Sequence, residues 1–84
     1  MRETAKKTAV WRRIEDKIFI IDPEREKMHS LNETAAFFWE LLAAGKTPDE
    51  IVRRAAERFE ASEKEITGDL EEFTRLLKKE KLIV

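Results

Sequence analysis

The stretch Leu31-Asn32-Glu33-Thr34-Ala35-Ala36-Phe37-Phe38-Trp39-Glu40-Leu41-Leu42 constrains the fold more than any other part of the chain. An Asn stands between a short extended run and a segment dense in large apolar residues. It therefore reads as the end of a strand and the N-cap of a helix at once. Two β-type runs precede this junction and two further helix starts follow it. Strands first and helices afterwards, within 84 residues, leave room for one domain and one core.

Residues 1–7 are polar and charged and read as a flexible N-terminal tail, with the folded domain spanning 8–84. Thr8 to Glu15 is rich in β-formers, and Asp16-Lys17 suits a tight turn. Ile18-Phe19-Ile20-Ile21-Asp22 is a strand-length apolar run without polar alternation, which predicts that both of its faces are at least partly covered. Asp22-Pro23-Glu24-Arg25-Glu26 supplies a second turn, and Lys27-Met28-His29-Ser30-Leu31 a third short strand. Two tight connections in succession imply an antiparallel meander with the second strand central.

Three helices follow. Asn32 caps the first, which runs to about Ala44 and stops at Gly45, a residue suited to the left-handed position after a helix. Thr47 caps the second, with Pro48 at its first position and Glu50 three residues past the cap. Ser62 caps the third, with Glu65 in the equivalent place, and the helix continues to about Glu80. Its core stripe is Ile66, Leu70, Phe73 and Leu77, while Leu76 falls to one side beside Asp69, flanked by Glu72 and Glu80. The fold class is therefore α+β: a three-stranded antiparallel meander followed by three α-helices, as in a winged helix-turn-helix with its wing placed first.

Composition removes several function classes. No Cys is present, so a disulfide scaffold, a zinc finger and a cysteine nucleophile are excluded. No apolar run approaches the roughly 20 residues that span a bilayer, and Val10-Trp11-Arg12-Arg13 breaks any signal-peptide core, so the chain reads as cytoplasmic with no membrane partner. Lys and Arg number 17 against 18 Asp and Glu, a balance that supplies no electrostatic drive toward nucleic acid. This Glu/Lys-rich, amide-poor usage fits a thermophile protein or simply a small domain with a heavily solvated surface.

Catalysis finds no foothold. His29 is the sole histidine, Gly45 and Gly68 are the sole glycines, and Ser62 is explained as a cap. No metal site, no cofactor and no catalytic residue is expected. DNA binding is opposed by sign: the half-helix that would enter the major groove carries Glu63, Glu65, Asp69, Glu71 and Glu72 against Lys64 alone. What remains is a surface. The third strand ends the meander with an unpaired backbone edge, and the Leu76 flank of the last helix offers an apolar wall, an arrangement suited to β-strand addition.

The residues also resemble a known family. Val10-Trp11-Arg12, Ile20-Ile21-Asp22, Leu31-Asn32-x-Thr34-Ala35 with Phe38-Trp39-x-Leu41-Leu42, Thr47-x-x-Glu50-Ile51-Val52, Phe59, and Ile66-x-x-Asp69-Leu70-x-x-Phe73-x-x-x-Leu77 follow the order and spacing of coenzyme PQQ synthesis protein D. That family includes the precursor recognition elements of ribosomally made, modified peptides. The closing Lys81-Leu82-Ile83-Val84 corresponds to a family ending usually written Gly-Leu-aliphatic, with Lys81 standing where Gly is common. The resemblance implies a non-enzymatic chaperone that binds the leader of a precursor peptide as an added strand and presents it to a modifying enzyme, often a radical S-adenosylmethionine protein. Carried onto this chain, the implied contacts are the backbone of Lys27, Met28, His29, Ser30 and Leu31, with Asp69, Phe73 and Leu76 on the helix side. A winged-helix transcriptional regulator and a general protein–protein adaptor, dimeric through the same edge, stand as alternatives.

Overall fold

A computed structural model of the protein describes residues 10–83. Strands β1 (Val10–Ile14), β2 (Lys17–Asp22) and β3 (Lys27–Leu31) form an antiparallel sheet in the order β1-β2-β3, followed by helices α1 (Glu33–Ala43), α2 (Pro48–Phe59) and α3 (Glu63–Lys79). The expected meander and helix order are present. The predicted tail and the first two residues of the predicted first strand lie outside the described residues.

Local chemistry explains each boundary. The Glu15-Asp16 turn, with Glu15 at φ +58°, lets Ile14 pair with Lys17. It comes one residue earlier than Asp16-Lys17 because Lys17 already belongs to β2. Between β2 and β3, the Asp22 Oδ1 accepts the Glu24 N–H at 3.1 Å, and Glu26 at φ +52° closes the loop. The three helix caps form as read: the Ala35 N–H donates to Asn32 Oδ1 (2.9 Å), Glu50 N–H to Thr47 Oγ1 (3.3 Å) and Glu65 N–H to Ser62 Oγ (3.1 Å). Gly45, at φ +82°, ends α1 in the left-handed region that L residues rarely occupy.

α1 packs on one face of the sheet, and α2 and α3 complete a single core with it. Ile18, Ile20 and Leu31 from that face meet Phe38, Trp39 and Leu42 of α1, and the remaining space is filled by Ile51, Val52 and Ala55 of α2 and the Ile66, Leu70, Phe73, Leu77 stripe of α3. Trp39 is completely buried at the centre, with Trp11 edge-on to it (87°, centroids 6.3 Å apart). Phe37 sits at the margin, T-stacked on Phe59. Leu82 and Ile83 turn back into the core, and the Leu82 N–H donates to the Leu77 carbonyl at 2.9 Å.

One expectation is overturned. The Ile18–Ile21 run does not have both faces covered: Ile18 and Ile20 are buried, but Ile21 is 49% exposed. α1 packs on the opposite face, and Val10, Ile14, Ile21 and Met28 of the outer face are exposed among the described residues. Lys81 adopts φ +58°, which accounts for the Gly common at that place in the family pattern.

Truncating Trp39→Ala is expected to cost about 3–5 kcal/mol, enough to unfold much of a domain whose total stability is of order 5–15 kcal/mol; urea denaturation followed by circular dichroism measures it. Lys81→Gly relieves a left-handed L residue and should raise the urea midpoint, by up to about 1 kcal/mol in stability.

Candidate peptide-binding groove

β3 is an edge strand. It pairs with β2 on one side, and among the described residues no strand pairs with its other side. Alternation along it sends Lys27, His29 and Leu31 toward the helices, in register with Asp22, Ile20 and Ile18, and sends Met28 and Ser30 to the opposite face beside Ile21 and Phe19. The backbone groups on the free side point toward α3.

The position of α3 follows from its sequence. With Ile66, Leu70, Phe73 and Leu77 drawn into the core, Leu76 lies one step around the helix and cannot turn inward. It stays 51% exposed and faces the edge strand. Two adjoining cavities meet at this residue. The lower, of about 360 Å³, runs along all five residues of β3 and is closed by Leu76, Leu77, Glu80 and Leu82. The upper, of about 580 Å³, has Asn32, Ala35 and Phe38 on the α1 side and Asp69, Phe73 and Leu76 on the α3 side. Together they form one trough from the β2–β3 turn to the start of α1, of a size usual for ligand sites.

Charge is distributed unevenly along it. At the lower end Glu80 gathers the hairpin: Lys27 Nζ lies 3.6 Å and His29 Nε2 4.0 Å from its carboxylate, and the Arg25 guanidinium donates to its carbonyl oxygen at 3.0 Å. These contacts tie the β2–β3 turn to the end of α3 and set the width of the trough there. At the upper end Asp69, Glu72, Arg75 and Lys79 rim the larger cavity, and none makes an ion pair with another described residue. Their charges are available to an occupant.

The structure thus brings the sequence-derived residues to one place. Lys27, His29, Leu31, Asp69, Phe73 and Leu76 line the trough, whereas Met28 and Ser30 contribute backbone alone, because their side chains stand on the far face of the sheet. Sequence reasoning did not find the α1 wall. Asn32 was explained as a cap, and nothing in a cap signal says that the same residue, with Ala35 and Phe38, borders a cavity. The Glu80 clamp was equally hidden, since its partners lie more than fifty residues away in the chain. Among the described residues no group of three or more His, Asp and Glu is placed to hold a metal, and no helix is long and apolar enough to cross a membrane.

The family model for coenzyme PQQ synthesis protein D (PqqD) matches residues 17–83. The chain belongs to the PqqD family. No curated protein matches it in sequence. Among solved structures, TbiB1 in complex with the TbiA(beta) leader peptide is similar at a TM-score of 0.91 and 24% identity, over 95% of this chain and 93% of that one. A lasso peptide synthetase B1 complexed with its leader peptide is similar at a TM-score of 0.91 and 15% identity, over 100% of this chain and 99% of that one. At these identities the likeness establishes that all three share the PqqD fold.

Since Leu76 is half exposed and lies outside the buried core cluster, Leu76→Asp should leave stability within about 0.5 kcal/mol of the parent, as read by thermal or urea unfolding. A larger loss would mean that Leu76 serves packing rather than the trough.

Proposed function

We propose that this PqqD-family protein binds the leader segment of a ribosomally synthesised precursor peptide as an additional β-strand along Lys27–Leu31, and presents it to a modifying enzyme without performing chemistry itself. The observation that carries this reading is the juxtaposition of a free strand edge with an exposed Leu76 across an open trough. A peptide entering there gains backbone hydrogen bonds from β3, and every second side chain points into the trough toward Leu76, Phe73 and the upper cavity. The two similar solved structures are both complexes with leader peptides, which supports the same use of the fold here. In the family pattern the modifying enzyme is often a radical S-adenosylmethionine protein.

The peptide reading is favoured over DNA recognition by the electrostatics of α3. Its first half exposes Glu63, Glu65, Asp69 and Glu71, and duplex DNA binding draws most of its non-specific free energy from cationic contacts to phosphate.

Titration of the leader encoded beside this gene into isotopically labelled protein should shift the amide resonances of residues 27–31 together with those of Asp69, Phe73 and Leu76. Leu76→Asp should weaken that binding by about tenfold or more, since it sets a charge where an apolar contact forms. Unperturbed resonances on β3, with shifts confined to other surfaces, would sink the proposal.

A further inference from the structure

Leader binding in the trough leaves the outer face of the sheet unused. The strand register places Val10, Ile21 and Met28 in one row across the sheet, Arg12, Phe19 and Ser30 in the next, and Ile14 opposite Lys17 in the last. Val10 and Met28 are 57% and 67% exposed, so with Ile21 an apolar row crosses all three strands on the side away from the helices. Single exposed hydrophobic residues are ordinary, but a contiguous row on an open face marks an interaction surface. The charges on this face are Arg12 and Lys17; no carboxylate stands on it, and neither cation is ion-paired with a described residue.

Area and charge say what fits. Five residues of strand span roughly 17 Å and three strands roughly 10 Å, which gives a face of a few hundred Å², well short of the roughly 800 Å² per partner of a stable interface. Two copies of this chain stacked through it would each bring cations to a face that has no anion to offer, and any partner docking here must gain area beyond these three strands. A partner with an apolar ridge edged by Asp or Glu is complementary.

The face also changes when the trough is filled. A strand added to β3 continues the sheet, and its side chains that do not enter the trough emerge beside Met28 and Ser30, lengthening the apolar rows from three strands to four. We infer that the outer face of the sheet, completed by the outward side chains of the bound leader, is the docking surface for the modifying enzyme, through an apolar ridge on that enzyme bordered by carboxylates. The inference rests on the leader-binding reading above and adds to it the surface that recognises the loaded state. It also sets a linkage: whatever factor the leader adds to enzyme affinity, the enzyme adds to leader affinity.

The test uses the full-length protein, the leader peptide and the modifying enzyme encoded beside this gene, with enzyme binding measured by calorimetry and leader binding followed separately by amide shifts. The leader should tighten enzyme binding by about fivefold or more. Ile21→Lys, and independently Val10→Asp at the exposed edge of β1, should weaken enzyme binding by about tenfold while leaving leader affinity within about twofold; circular dichroism establishes that each variant is folded. Arg12→Glu should weaken it further at low salt than at high salt. Intact leader binding with enzyme affinity indifferent to these substitutions overturns this inference alone, whereas no enzyme binding at all overturns it together with the presentation step proposed above. Absence of leader binding by the unsubstituted protein overturns the groove reading and this inference with it.

Discussion

Phe38 and Trp39 of α1, packed against Ile18, Ile20 and Leu31, hold the rest of the molecule in place. A three-stranded sheet is barely stable by itself and needs one face buried against another layer. Here that layer is a single central helix whose buried residues point both to the sheet and to α2 and α3. Once α1 is seated, α2 and α3 bury their stripes in the same core, and α3 comes to lie beside β3. Among the described residues no element covers the outer face of the sheet and no strand pairs with the far edge of β3, so the surfaces of interest are consequences of where the core lies.

The trough has the same origin. α3 buries four residues at helical spacing, and its Leu76 is left facing the strand edge by geometry rather than by any special local device. The tail then packs Leu82 under the lower end, while Glu80 ties the hairpin to the end of the helix. Exposed and half-buried ion pairs of this kind contribute little stability; their effect is on distance. They hold the turn near the end of α3, while Asp69, Glu72, Arg75 and Lys79 at the upper end make no ion pair with a described residue. One helix thus carries an acidic first half and an apolar flank in its second half.

Much of this was legible in the residues themselves. Caps at Asn32, Thr47 and Ser62, the Gly45 stop and the Ile66-Leu70-Phe73-Leu77 stripe are signals whose physics is local, and each appears where it was read. The edge character of β3 followed from two short connections. The errors are of another kind. Ile21 was expected to be covered because the Ile18–Ile21 run has no alternation, yet an apolar residue on an open face looks the same in sequence as one inside a core. The first turn shifted by one residue because Glu15 takes a positive φ that residue identity does not announce. Of the trough's walls, the strand and the Leu76 flank were read from the sequence, and the Asn32, Ala35 and Phe38 wall was not, since those residues already had sufficient roles as cap and core.

What the chain determines unaided is the set of elements, their order and the faces they must bury, because helix caps, turns and hydrophobic spacing act over a few residues. Which faces remain uncovered was decided by tertiary packing. One helix covers one side of a small sheet and the other two join it around a common core, and that assembly leaves β3 without a described strand partner beside Leu76 and the row from Val10 to Met28 exposed. Local periodicity cannot carry that information, because an unburied apolar face is defined by the absence of a neighbour that lies far away in sequence.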